Sequence, residues 1–201
     1  MKYYLAYGPN LNLVQMRQRC PNARVVGYTY LFGARLVFRG SKNGCFLTTD
    51  FQQPWCPSMV GCGVYEISDK DEQALDVYAG VPYFYQKQTM QVQCVWDVTT
   101  RREVLHNIEA ILYTLPASHP LGVPSRRYLQ ECKSGYDDFH FSFLPLRQAL
   151  IDSSPEPHSK LRKHFCVKEK AKAKDRQAGS DVLPFCFLLC ETNLKKLKKR
   201  Y

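Results

Sequence analysis

The chain has 201 residues, 45% of them apolar and 13% aromatic, enough for one well-packed domain with an extension. That balance excludes a wholly disordered chain, and no run reaches the roughly 18 apolar residues of a membrane-spanning helix. The formal net charge of +10 is uneven: residues 1–150 hold 15 Lys/Arg against 12 Asp/Glu, and residues 151–201 hold 13 against 6. The basicity belongs to the C-terminal part, so it gives no reason to predict a specific nucleic-acid partner for the rest.

The opening YLAYGPNL (Tyr4–Leu11) organises the first third of the chain. Tyr3, Leu5 and Tyr7 alternate with Tyr4 and Ala6 as in a short buried strand. Gly8, Pro9 and Asn10 break that strand into a turn, and Asn12 with Gln15 three residues on reads as a capped helix start. Leu13, Met16 and Cys20 supply its inner stripe. A strand, a tight turn and a helix start aim backbone N–H groups at one small volume, a geometry that suits an anion such as a carboxylate. The start is too short and too rich in tyrosine for a secretory signal, so a cytoplasmic protein is expected.

From Ala23 to Phe38 the pattern is two strands around Phe32-Gly33. A turn-rich loop over residues 39–44 and a strand CFLTTDF come next, then a loop over Gln52–Pro57. Val60–Ile67 is a strand whose two glycines predict bulging or close packing. Ser68 with Asp71 is a capping pair for a short helix that faces inward with Ala74, Leu75 and Tyr78 and ends at Gly80 and Pro82. Tyr83–Trp96 is one long strand with Tyr85, Met90, Val92, Cys94 and Trp96 inward, and Ile108–Leu115 is another. Pro124–Gly135 is helical, with Tyr128, Leu129 and Cys132 on one side, and Leu144–Ile151 is a closing helix. Strands with a few intercalated helices predict an α+β domain built on a curled or barrel-like sheet over residues 1–151.

From residue 152 the character changes to a basic, flexible extension with one apolar island, LPFCFLLC, and a polybasic end, a composition able to meet anionic surfaces. The nine cysteines show no two-residue spacing of a zinc or redox motif, and the five histidines do not cluster near them. Reduced thiols, no metal and no organic cofactor are expected.

Three segments, in order, resemble the γ-glutamylcyclotransferase-like family: YLAYGPNLNLVQMRQRCP, then VGCGVYEISDKDEQALDVYAGVPYFYQK, then LGVPSRRYLQECKSGYDDF. The resemblance spans about residues 2–150 and implies a small mixed β-barrel flanked by short helices. It also implies a reaction in which a γ-glutamyl amine cyclises to 5-oxoproline, an acyltransferase-type step that releases the amine. Carried over residue by residue, it makes Tyr7, Gly8, Pro9, Asn10 and Leu11 the loop that holds the glutamyl head, with Tyr85 and Tyr128 lining the pocket. In the family's LD-x-x-E-G segment the proton-carrying Glu falls on Ala79, and the loop serine falls on Pro9. A methyl cannot move a proton, and proline offers neither a hydroxyl nor an N–H. Glu72 and Asp76 share a helix face expected to meet solvent, which leaves Glu66 as the substitute acid to examine. Three functions therefore remain open: a cyclotransferase that is weak or uses another acid, a silent binder of γ-glutamyl-like ligands, and an interaction protein acting through its basic tail.

Overall fold

The computed structural model describes residues 1–41, 43–51 and 58–154. The predicted loop over residues 52–57 and the extension from residue 155 onward lie outside these residues.

Among the described residues, seven strands and four α-helices make an α+β fold. Five strands, β1 (Lys2–Ala6), β2 (Arg24–Phe32), β5 (Met59–Ile67), β6 (Gln86–Trp96) and β7 (Glu103–Thr114), close into a barrel in the order β1-β5-β2-β6-β7. Every pairing is antiparallel except the seam, where Tyr3 and Tyr4 run parallel to Ala110 and Ile111. The barrel is therefore mixed. Tyr4, Leu5, Ala6 and Tyr7 are all buried, so β1 shows no polar face. Its expected alternation gives way to burial on both sides, as befits a strand inside a covered sheet.

β3 (Ala34–Ser41) and β4 (Gly44–Phe51) are not barrel strands. The chain turns out of β2 at Gly33, in the left-handed region at φ 70°, and β3 pairs with β4 in a separate two-stranded sheet, with one isolated bridge from Arg39 to Leu121. The turn between them is far tighter than the six-residue loop predicted from composition. Several hydrogen bonds tie this hairpin to its surroundings, among them Gly40 N–H to the Pro120 carbonyl and Gly122 N–H to the Phe38 carbonyl. Leu115 N–H donates to Thr48 Oγ1 at 2.8 Å, Phe38 N–H donates to Ser153 Oγ at 2.7 Å, and Arg39 Nη1 reaches the carbonyls of Ala117 and His119.

The helices match their sequence signals closely. Asn12 accepts from the Gln15 N–H and starts α1 (Leu13–Arg19). Met16 and Cys20 are buried, but Leu13 is 39% exposed, and its N–H donates to Asp138 Oδ2. Ser68 and Asp71 form a complete capping box on α2 (Asp69–Ala79), and Gly80 at φ 63° ends it. Leu75 and Ala79 form the inner face of α2, while Tyr78 is half exposed. α3 (Arg126–Asp138) starts on Ser125, and α4 (Leu144–Asp152) packs on β3. The two strand glycines of β5 do mark close packing: a Cβ on Gly63 would lie 2.5 Å from the Phe139 ring, and one on Gly61 3.1 Å from Phe141. The register shifts between Val95 and Trp96, where β7 carries the extra residue Val104, and Val95 rather than Trp96 is fully buried.

Ser153 places the end of the folded part later than residue 151. Ser153→Ala leaves the buried Phe38 N–H without its acceptor and should cost about 1–3 kcal/mol. Urea unfolding of the full chain checks this, and an unchanged midpoint would show that Ser153 contributes nothing to holding β3.

Candidate functional site

A cavity of about 300 Å³ opens where β1 ends. That volume lies at the small end for ligand sites and suits a head group rather than a large cofactor. Its floor is the end of β1, with Tyr4 and Tyr7, and the turn Gly8, Pro9 and Asn10. One wall is the inner face of α2, with Leu75, Tyr78 and Ala79. Phe84 and Tyr85, just past that helix, and Tyr113 at the end of β7 complete the barrel side. Tyr128 of α3 and Phe46 and Leu47 of β4 form the cover.

The turn is a single 3-10 turn, Pro9–Leu11, with Pro9 at its first position, where the missing N–H costs nothing. Asn10 is buried and fully engaged: its Nδ2 donates to Tyr4 Oη at 2.8 Å, and its Oδ1 accepts from the Arg19 guanidinium. The same guanidinium lies 3.4 Å over the Tyr78 ring, which joins α1, the turn and α2. A fixed positive charge thus stands directly behind the turn. Leu11 does not line the cavity. It is fully buried beneath the turn, against Gly63 and Gly135, so its part is to seat the loop.

Tyr85 and Tyr128 both line the cavity, and both hydroxyls are spent on one residue of the cover. Leu47 N–H donates to Tyr128 Oη at 3.0 Å, and Tyr85 Oη donates to the Leu47 carbonyl at 3.0 Å. Burial drives both phenols well above their ordinary range, so they are neutral pins. Phe46 stacks edge-on against Phe84 and Tyr128, sealing the roof.

Ala79 is buried and turns its methyl to the cavity, on the same small volume as Gly8 and Asn10. No carboxylate, amine, imidazole or thiol is among the described lining residues. Glu66 is excluded as a stand-in. It sits on the outside of β5, opposite Arg24, whose Nη2 lies 2.6 Å from its Oε2, and it is absent from the cavity. The expected solvent face of α2 also needs correction. Asp76 Oδ1 accepts from Tyr113 Oη at 2.6 Å, and Lys87 Nζ bridges Asp76 Oδ2 and Glu72 Oε1 at 2.7 and 2.9 Å. Both acids therefore face β6 and β7. Lys2 and Lys87 together hold the Glu72 carboxyl below its usual range.

Sequence reasoning missed Tyr4, Phe46, Leu47, Tyr78, Phe84 and Tyr113 as lining residues. Tyr4 and Tyr113 carry a local signal, each being a tyrosine near the end of an apolar strand. The hairpin residues carry none, since only tertiary packing brings them over the turn.

At the opposite end of the β6–β7 ladder, strand pairing sets Cys94 across from His106, with Cys94 Sγ 3.7 Å from His106 Nδ1 and Glu103 Oε1 2.8 Å from the same nitrogen. These three ligand-type atoms lie within 4.8 Å of one another. Spacing along the chain hides this meeting, which is partly exposed and remote from the cavity.

No protein-family model matches the sequence, and a comparison with curated proteins likewise finds no match. Solved structures do match. A γ-glutamyl cyclotransferase aligns with a TM-score of 0.57 at 22% identity, covering 87% of this chain and 96% of the other. The chain has the γ-glutamyl cyclotransferase-like fold. An uncharacterized human protein aligns with a TM-score of 0.56, also at 22% identity, over 81% of this chain and 96% of its own. YkqA from Bacillus subtilis gives 0.58 at 15% identity, over 76% of this chain and 55% of its own. The barrel, the turn after β1 and the helix before β6 are thus parts of a γ-glutamyl cyclotransferase-like scaffold. Among the described residues no helix is long and apolar enough to cross a membrane.

The double pin on Leu47 is testable without a ligand. Tyr128→Phe removes the acceptor of a backbone N–H and should cost about 1–3 kcal/mol. Amide exchange at Leu47 should quicken more than exchange in β5, and equal change in both strands would refute a local role.

Proposed function

We propose that the cavity receives the glutamyl head of a γ-glutamyl amine and that the chain is a γ-glutamylcyclotransferase-type protein. The head is folded so that its own α-amine attacks its γ-carbonyl, giving 5-oxoproline and the free amine. One observation carries this reading: the turn Gly8–Asn10 and the C-terminal end of α2 meet on one small cavity, in a fold shared with a solved γ-glutamyl cyclotransferase. Nucleophile and electrophile belong to one molecule, so holding the attack conformation supplies much of the rate. Tyr7, Gly8, Pro9 and Asn10 present backbone to the head, and the Arg19 charge behind Asn10 favours its α-carboxylate. Leu11 supports that loop from below.

Ala79 sets the rate. With a methyl where the family carries its Glu, the reaction lacks a direct proton carrier, a loss worth about 100- to 10,000-fold. The same methyl favours a second reading, a pocket that binds γ-glutamyl compounds without turning them over. In either reading the chemistry is assigned to the cavity and none of it to the basic extension.

5-Oxoproline release from a γ-glutamyl anilide, together with calorimetric binding of that compound, separates the outcomes. The unsubstituted chain should bind and release product slowly, and Ala79→Glu should release it about 100- to 10,000-fold faster. Binding by both with release only from the substituted chain favours the silent binder. Neither binding nor release by either chain overturns the proposal.

A further inference from the structure

Cyclisation in this cavity requires a proton to leave the substrate's α-ammonium before the amine can attack. Among the described lining residues the ionisable groups are all tyrosines. Tyr4 accepts from Asn10, Tyr7 donates to the Tyr113 carbonyl, and Tyr85 and Tyr128 hold Leu47. Tyr78 is half exposed, with the Arg19 guanidinium over its ring. Tyr113 differs, because its hydroxyl donates to a carboxylate, Asp76 Oδ1, at 2.6 Å.

We propose that Tyr113 and Asp76 form a two-residue proton relay that serves this cavity in place of an acid within it, a role that rests on the cyclotransferase reading of the site. Asp76 lies one helical turn before Ala79, on the same side of α2, so the pair stands beside the methyl. Lys87 grips Asp76 Oδ2 and leaves Oδ1 to the phenol.

The α-ammonium gives one proton to Tyr113 Oη as the phenol's own proton passes to Asp76 Oδ1. The freed amine pair forms the new C–N bond, and the carbonyl π pair moves to oxygen. As that oxygen pair returns, the old C–N bond breaks, and the leaving nitrogen takes the proton back from Asp76 through Tyr113. The ring nitrogen's second surplus proton takes the same route. Both protons end on the departing amine, and the relay is restored.

Burial, and then the Asp76 carboxylate, hold the Tyr113 hydroxyl far above its ordinary range, so the phenol passes the proton without itself becoming charged. The groups facing it are Tyr4, 5.7 Å away ring to ring, the Tyr7 hydroxyl on its carbonyl, Asp76 and Glu72 from α2, and Lys87 from β6. Lys2 acts at one remove, through Glu72.

The test uses the full chain and the γ-glutamyl anilide in two backgrounds. In the unsubstituted chain, Tyr113→Phe and Asp76→Asn should each lower kcat about 100-fold or more, with KM changed less than about threefold. Asp76→Glu should recover part of the activity lost in Asp76→Asn. In the Ala79→Glu background, Tyr113→Phe should cost less than about tenfold, because the new carboxylate takes the proton directly. Equal losses in both backgrounds would mark Tyr113 as structural and overturn the relay, as would an unchanged kcat in Tyr113→Phe. If the unsubstituted chain binds the anilide but only Ala79→Glu releases 5-oxoproline, the relay fails and the cavity reading stands. If neither chain binds, the cavity reading itself fails.

Discussion

Two parallel rungs, Tyr3 against Ala110 and Tyr4 against Ile111, close the barrel, and the site depends on that seam. They set the end of β1 beside the end of β7, so that the Tyr7 hydroxyl caps the Tyr113 carbonyl. Once the two strand ends are neighbours, the turn after β1 and the tyrosine at the end of β7 must share one volume. α2 then lies over that volume, with its capping box at one end and its left-handed Gly80 at the other. Parallel pairing is slightly weaker per residue than antiparallel. Here β1 compensates by burying apolar side chains on both faces.

The polar groups around the cavity divide into two kinds. Most are committed to architecture: Asn10 joins Tyr4 to Arg19, and Tyr85 and Tyr128 satisfy both backbone groups of Leu47. Buried polar groups are costly unless paired, and these pairings keep the tyrosine-rich interior neutral and dry. The charges stand outside it, in a chain from Lys2 through Asp69 and Glu72 to Lys87 and Asp76. Such partly exposed ion pairs add little to stability. Their effect is geometric, because Lys87 decides which Asp76 oxygen is left for Tyr113.

Much of this was legible in the sequence, for local reasons. The Asn12 and Ser68 caps, the Gly80 stop and the glycine-marked close packing of β5 are all written in short stretches of chain, and each appears in the structure. The barrel-like sheet is legible in the strand pattern, while the sharing of one site by the first turn and Ala79 is implied by the resemblance alone. What the sequence hid is non-local. Nothing near Phe46 or Leu47 signals that a hairpin outside the barrel covers the cavity. Asp76 read as a surface acid because its partners, Tyr113 and Lys87, come from strands 37 and 11 residues away. The resemblance makes Leu11 part of the loop that holds the glutamyl head, yet its side chain fills the space left by Gly63 and Gly135.

The β3–β4 hairpin leaves the barrel at Gly33 and touches the cavity only through its own tip-side residues and the pins on Leu47. The register of this wall is set by its own β3–β4 pairing and by the bonds from Leu115 to Thr48 and from Phe38 to Ser153, not by the barrel ladder. The fold thus separates two tasks: a rigid floor that recognises one constant group, and a detachable lintel whose drift resets what else fits through the doorway.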